Sequence, residues 1–421
     1  MTFKELSLHP SLLKALIEDH YEVPTPIQEA AIPVLLNGHD LIATAQTGTG
    51  KTAAFALPIL DRLVKTTPYA GKKRAIQTLI LAPTRELANQ IKDSLDRYSR
   101  KNHIKAIAVF GGVAKRNQII KLKRGVDILI ATPGRLLDLM NMNVLKLHRV
   151  NTLVLDEVDQ MLDMGFIDDV KKITEALPKT RQTMLFSATL PAPIEVLAKS
   201  LLNQPKRLEM APQNQPLETV TQAVYFMAQR DKVALLKTLM QDPDMRKVLI
   251  FVRTKRYAEQ LFNQLDDQGY RVASLHGDKS QMARQAALKA FKTNQINVLI
   301  ATDVAARGLD IDTLSHVINF DMPQTPETYI HRIGRTARAG ALGAALSFCT
   351  KEDTHLLKAI QKHVGFTLPV EANHPYAMSL EKPASKPRFD KKKKPSKNQK
   401  KKGGFYAQTK GYNLKKKRYA H

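Results

Sequence analysis

Ala45-Gln46-Thr47-Gly48-Thr49-Gly50-Lys51-Thr52 decides how the rest of the chain is read. An apolar run at 40–44 precedes it, and an amphipathic segment at 53–64 follows. Strand, glycine-rich turn and helix form the frame of a phosphate-binding loop. Only the first position departs from the pattern, with Ala45 in place of glycine. Gly48 and Gly50 leave room for backbone N–H groups to wrap phosphates, and the helix N-terminus adds a favourable dipole. The pattern predicts that Lys51 reaches the β- and γ-phosphates and that Thr52 offers its hydroxyl to Mg2+.

Such a loop needs an acidic partner at the end of another strand. Leu153-Val154-Leu155-Asp156-Glu157-Val158-Asp159 supplies one. Asp156 closes an apolar run, the place of a metal-positioning aspartate. Glu157 beside it is placed to orient or deprotonate an attacking water.

Outward from this pair, apolar runs alternate with helical stretches. Runs at 78–82, 106–110, 127–131, 152–155 and 183–186 join 40–44 as predicted strands. Their unbroken apolar character predicts strands covered on both faces, as in a parallel sheet. Segment 204–218 carries three prolines and little periodicity, and reads as a linker. A second series follows, with strands predicted at 247–252, 271–275, 297–301, 316–320 and 344–348. The plan is α/β: two parallel-sheet domains in tandem. The first covers 1–205, a linker 206–218, the second domain 219–369 and a tail 370–421.

Composition agrees. The chain has 421 residues, 43% hydrophobic and 25% charged, which excludes a wholly disordered chain, a collagen-like fibre and a coiled coil. No run of 18 apolar residues predicts a membrane span, and no signal peptide is read at the N-terminus. Cys349 is the single cysteine, which fits a reducing, cytoplasmic setting. The net charge of +26 is uneven. From Lys382 onward there are 16 Lys or Arg and one acid, Asp390, a net +15. Phe389, Phe405, Tyr406, Tyr412 and Tyr419 punctuate the basic runs. Cations that track phosphates and rings that stack on bases predict a disordered nucleic-acid-binding arm.

These motifs resemble the DEAD-box RNA helicases of superfamily 2, from Phe3 to about Pro369, with Asp156-Glu157-Val158-Asp159 where the family name puts alanine third. The resemblance implies two RecA-like domains and an RNA-dependent ATPase that uses ATP and Mg2+. Thr25-Pro26-Ile27-Gln28 is similar to the Q motif, so Gln28 is expected at the adenine edge and Phe3 stacked on the base. Thr47, Gly48, Thr49, Gly50, Lys51 and Thr52 would hold the phosphates, and Thr52 and Asp156 the metal. Ser187-Ala188-Thr189 resembles motif III, so Ser187 and Thr189, with Asp159 and His331, are expected to couple hydrolysis to strand separation.

The RNA side is implied in the same way. Pro83-Thr84-Arg85-Glu86-Leu87 resembles motif Ia, Gly111-Gly112 the GG motif, and Thr132-Pro133-Gly134-Arg135 motif Ib. Thr84, Arg85, Gly112, Thr132 and Arg135 are therefore expected to face RNA. Phe251-Val252-Arg253-Thr254 resembles motif IV. Gln281 to Arg284 resembles the Gln-x-x-Arg element and Ala301 to Asp310 motif V, which adds Gln281, Arg284, Thr302 and Arg307, with Asp303 at the ribose. His331-Arg332-Ile333-Gly334-Arg335-Thr336-Ala337-Arg338 resembles motif VI. Arg335 and Arg338, three apart on one helix face, look like fingers for the transferring phosphoryl group. Contacts to phosphodiester rather than to base edges imply little sequence preference. A compact core with a short basic tail looks most like bacterial relatives of the RhlE and SrmB type. That implies ribosome assembly or RNA turnover, with ribosomal precursors or RNA-degradation machinery as partners and no membrane. A clamp that remodels ribonucleoprotein without unwinding would carry the same motifs.

Overall fold

The computed structural model describes residues 2–45, 48–66, 74–210, 220–306, 314–336 and 343–378. Two seven-stranded sheets dominate it, and every strand pair in both is parallel. The first sheet contains β1 (Leu41–Thr44), β2 (Thr78–Leu81), β3 (Ala106–Val109), β4 (Ile128–Ala131), β5 (Thr152–Leu155), β6 (Gln182–Ser187) and β7 (Lys206–Glu209). Its order is β3-β4-β2-β5-β6-β1-β7. The second contains β8 (Val220–Phe226), β9 (Val248–Phe251), β10 (Val272–Leu275), β11 (Val298–Ala301), β12 (His316–Asn319), β13 (Gly343–Cys349) and β14 (Val370–Glu371). Its order, β10-β11-β9-β12-β13-β8-β14, repeats the plan of the first.

Side-chain alternation explains the unbroken apolar runs. Ile80, Ile130 and Val154 enter one core of the first sheet, while their neighbours Leu79, Leu129 and Leu153 enter the core on its opposite face. The helices that cover these faces include α1 (Pro10–Glu18), α2 (Pro26–Leu36), α3 (Lys51–Thr66), α4 (Arg85–Tyr98), α5 (Lys115–Lys123), α6 (Pro133–Asn141), α7 (Val158–Asp163), α8 (Ile167–Glu175) and α9 (Ala192–Leu201). The second domain follows with α10 (Lys232–Leu239), α11 (Lys255–Asp266), α12 (Gln281–Lys292), α13 (Asp303–Ala306), α14 (Pro326–Ile333) and α15 (Thr354–Val364). At roughly 1.5–3 kcal/mol for each fully buried Leu, Ile, Val or Phe, these two-sided cores supply the main driving force.

All the strands expected from apolar runs are present. Three more appear. The stretch read as linker begins with β7, which pairs with β1 and keeps 206–209 in the first sheet. Its Lys-Arg-Leu-Glu sequence is mostly exposed, as an edge strand permits. β8 was not expected; it sits between β13 and β14 and so lies inside the second sheet. β14 adds two residues beyond the expected end of that domain, and the Met378 amide still donates to the Phe226 carbonyl at 3.0 Å. The rest of the linker (211–219) and the basic arm from 379 lie outside the described residues. No described helix is long and apolar enough to cross a membrane.

Parallel strands bring their carboxyl ends to one rim of each sheet. On the first rim sit Ala45, Thr84, Gly111, Thr132, Asp156 and Ser187; on the second sit Arg253, His276, Thr302, Asp303 and Asp321. Open α/β sheets bind ligands at such rims.

Candidate nucleotide and RNA sites

Lys51 opens α3, is 6% exposed, and donates from Nζ to the Ala45 carbonyl at 3.0 Å. Gly48 and Gly50 have φ of 91° and 92°, the left-handed region that glycine enters without strain. Gly50 also has no space for a side chain, because a Cβ there would overlap the Gln28 amide. Gln28 is 3% exposed. Its Oε1 accepts from the Thr25 amide at 3.0 Å, and its Nε2 donates to the Gly50 carbonyl at 3.1 Å. The glutamine expected at the adenine edge is thus placed as a buttress of the loop. Phe3, expected as a stacking platform, is 3% exposed and meets Tyr21 edge-on at 6.3 Å between centroids. Thr47 lies outside the described residues.

Across the rim, Asp156 and Glu157 are 2% and 3% exposed. Asp156 Oδ1 is buried without a hydrogen-bond partner among the described residues. Burial pushes the Asp156 carboxyl up to about 7; Lys51 opposes this, while Glu157 and Asp159 add to it. An acceptor of this kind fits a divalent cation, whose charge would return it to the ionised form. Glu157 takes φ 53° and ψ 54° at the N-terminus of α7, a conformation costly for a residue with a Cβ. Val158, the departure from the family tetrapeptide, is fully buried in the apolar core.

Asp159 ties this turn to the next strand. Its Oδ2 accepts from the backbone amides of Ala188 at 3.0 Å and Thr189 at 3.1 Å. In return the Asp159 amide donates to Ser187 Oγ at 3.2 Å. The Ala45 amide donates to the Ser187 carbonyl at 3.0 Å, so β6 touches the phosphate loop as well. The residues expected to couple the site are in direct contact, except His331, which lies in the second domain.

There, Phe251, Asp303, Ala306, Thr328, His331, Arg332 and Arg335 line one cleft. Arg335 is 5% exposed. Arg332 grips both Asp303 oxygens, at 2.6 and 2.8 Å, and reaches the Asn319 side chain and the Asp321 carbonyl. Asp303, expected at a ribose, is held in this fork. Asp321 accepts from Lys232 Nζ at 2.9 Å and from the Arg253 amide at 2.9 Å. Lys232 is 1% exposed. Sequence reasoning missed Lys232, Asp321 and Arg332 as supports. Arg332 stands inside a quoted motif, but the other two lie where no periodicity marks them. Arg307 and Arg338 lie outside the described residues.

The expected RNA residues form a cationic cluster that crosses between the domains. Arg284 on α12 pairs with Glu86 on α4 at 2.8 Å, with both side chains largely buried. Arg85 is half-buried and lies over Gly112, where a Cβ would overlap its guanidinium. Burial lowers the Arg85 pKa, and the neighbouring Arg284 and Arg135 lower it further against the opposing pull of Glu86. Glu86 pairs with Arg284, and Asp138 lies 3.9 Å from Arg135, so three guanidiniums face two carboxylates and an excess of positive charge remains. Two of the three differ from the expected direct contacts. Arg284 is engaged by Glu86, and Arg135 donates to Gln118 Oε1 at 2.8 Å and to the Val113 carbonyl at 3.1 Å. Arg135 therefore braces the turn after Gly112. Thr84 caps α4 by accepting from the Leu87 amide; Thr132 precedes α6 in a buried position without a side-chain bond to that helix. Gln281 and Thr302 are also buried, at 6% and 9%. Glu86 was quoted in a motif, but only the fold reveals it as the link between domains.

The DEAD/DEAH box helicase family matches residues 25–197, and the helicase conserved C-terminal domain matches 231–340. The DEAD-box ATP-dependent RNA helicase CshA of Bacillus subtilis (strain 168) is 41% identical over 362 residues, covering 86% of this chain and 72% of that protein. RhpA of Helicobacter pylori (strain B128), of the same description, is 42% identical over 363 residues with the same coverage. These names differ from the RhlE and SrmB type expected from the short tail. Among solved structures, S. cerevisiae Dbp5 bound to RNA and ADP BeF3 superposes with a TM-score of 0.77 at 35% identity, covering 88% of this chain and 95% of that one. Mss116p (NTE and C-tail double deletion) bound to ssRNA and AMP-PNP gives 0.79 at 30% identity, over 89% and 79%. On its motifs, its paired parallel sheets and these relatives, the chain belongs to the DEAD-box family of ATP-dependent RNA helicases.

Proposed function

We propose that this enzyme separates short RNA duplexes locally, by closing two domains on one strand with ATP between them. The observation that carries the reading is the convergence of Arg85, Arg135 and Arg284 around the Glu86 ion pair. Arg85 then meets the phosphodiester backbone beside Gly112, with Arg135 and Arg284 adding positive charge from behind it, one from each domain. The solved relatives that carry RNA and nucleotide together support the same arrangement. Gln281, Thr302 and Arg307 extend the RNA path in the second domain.

Lys51, Thr52 and the amides of residues 47–50 hold the phosphates of ATP. Thr52 and Asp156 would hold Mg2+, which supplies charge neutralisation at the phosphates. Glu157 orients the attacking water and takes its proton. Arg335, which stands just past the end of α14 and not on its face, and Arg338, outside the described residues, are assigned to the charge that develops on the transferred group. Gln28 and Phe3 shape the base end of the site, and Asp303 the ribose end. Asp159, Ser187 and Thr189 carry the state of the phosphates to the rim, with His331 opposite. Because both ligands favour the closed form, each raises the affinity for the other by the same factor. The +15 arm gathers RNA without sequence preference, on ribosomal precursors or on transcripts entering decay.

A strand-displacement assay tests this. A short labelled RNA duplex is mixed with the full chain, ATP and Mg2+. ATP-dependent release is expected from the wild type, and Glu157→Gln is expected to bind ATP and RNA without release. RNA-stimulated ATP hydrolysis with no release of a short duplex would leave a clamp in place of an unwinding enzyme.

A further inference from the structure

Helix α5 departs from the mixed-sign charge pattern of α4 and α8 in the same domain. Residues 115–124 include Lys115, Arg116, Lys121, Lys123 and Arg124 and no acid. On the same domain, α8 mixes Asp168, Asp169 and Glu175 with Lys171 and Lys172, and α4 mixes Asp93 and Asp96 with Lys92 and Arg97. Interspersed signs are what solubility alone requires. Only Lys115 has a counter-charge, Asp138 at 2.9 Å. Arg116, Lys121, Lys123 and Arg124 are exposed and have no ion pair among the described residues. Lys105, just before the neighbouring edge strand β3, adds a fifth exposed cation without an ion pair among the described residues. The nearby acid, Asp127, is 1% exposed and engaged by Arg74 and the Lys105 amide.

The placement of this face gives it a use. Arg116, Ile120, Lys123 and Arg124 recur at helical spacing and share a side of the helix. Gln118 and Leu122 form the buried side. Gln118 fixes α5 to the rim, since Nε2 donates to the Phe110 carbonyl at 3.1 Å and Oε1 accepts from Arg135. The cations therefore start just past Gly112 and continue for about 13 Å along a rigid helix. Ile120, 42% exposed, gives the face an apolar spot where a ribose or base can rest.

We propose that α5 is a second phosphodiester-binding surface, which holds the RNA as it leaves the cleft past the Gly111-Gly112 turn. Recognition is by backbone charge, so it serves a single strand or a flanking duplex without regard to sequence. The inference rests on the proposed RNA path at the rim.

The test uses the full chain carrying R116Q, K121Q, K123Q and R124Q together, all at exposed positions. Binding is measured by fluorescence anisotropy against salt, on a short oligonucleotide that fills only the cleft and on a long one. The long RNA is expected to bind about tenfold more weakly than to wild type, with a salt slope smaller by about 2–3. The short RNA is expected to bind, and to stimulate ATP hydrolysis, as it does with wild type. Unchanged affinity and slope on the long RNA would overturn the proposal and leave an acidic protein surface as the partner of α5. Equal losses on both RNAs would also overturn it, because α5 would then act through the cleft. Failure of the unaltered chain to bind the short RNA would remove the rim path itself, a result distinct from either.

Discussion

Glu157 is held at φ 53° by its neighbours, between a buried Asp156 and the first turn of α7. A conformation that costs about 1–3 kcal/mol persists where the surroundings over-determine it, and the turn of Asp156-Glu157-Val158-Asp159 is fastened at Asp159. Replacing Asp159 with Ala removes the acceptor of the half-buried Ala188 amide and of the Thr189 amide at an exposed position, at about 0.5–1.5 kcal/mol for each hydrogen bond lost. A lower urea midpoint is expected, with unwinding reduced more than basal ATP hydrolysis; equal reductions would mean that the link is structural only. Gly50→Ala is the second change at this scale. It forces a Cβ into the Gln28 amide at φ 92°, so nucleotide binding is expected to fall by at least about tenfold while circular dichroism stays native. Retained nucleotide affinity would show that Gln28 yields. The need for glycine at this position was legible in the sequence as a loop motif. Its occupant, Gln28, is 22 residues away and became visible only in three dimensions.

Elements that the sequence announced are those whose burial is two-sided. β4 is apolar at every position, and β2 and β5 at every position after their opening threonines, because these residues enter one of two cores. β7 escaped because an edge strand keeps Lys206, Arg207 and Glu209 in water, and its partner β1 lies more than 160 residues earlier. The same logic separates the legible from the hidden parts of the site. Motif residues at strand ends were assigned from local order. Contacts between elements, such as Arg284 on α12 with Glu86 on α4, have no local signal. That pair makes an element-scale prediction. Glu86→Arg or Arg284→Glu each sets two like charges together and is expected to lower RNA-stimulated ATP hydrolysis about tenfold, near 1.4 kcal/mol of coupling. The double reversal restores opposite charges and is expected to recover most of the loss. A double variant no better than its worse parent would show that the pair does not connect the domains.

At the scale of the molecule, the apolar cores do not merge. Two clusters lie wholly within residues 3–210 and three within 220–376, while the Arg284–Glu86 contact between the domains is polar. Two cores joined by a polar contact predict two unfolding transitions, one for each sheet. Acid acts on the second domain through Glu259 on α11; in the first domain, Glu18, Asp138 and Glu195 are also lowered by lysine or arginine partners, but at the surface, where solvent screens the pairs. Burial would raise the Glu259 carboxyl pKa, but hydrogen bonds from Lys279, His276 and Ser274 outweigh that and hold it at about 2 against an ordinary 4.5. A carboxylate depressed on folding stabilises fully above its unfolded value and loses that contribution as pH falls through the folded one. The window therefore runs from about 4.5 down to about 2. With its side chain 39% exposed, solvent screens part of the effect. Urea unfolding at stepped pH, read with one reporter in each domain, is expected to show the second transition moving to lower urea across this window. In Glu259→Gln that acid-driven shift is expected to shrink, with the first-domain transition unaltered. If instead both transitions moved together in both proteins, the domains would unfold as one cooperative body, and the separation of the cores would carry no thermodynamic weight.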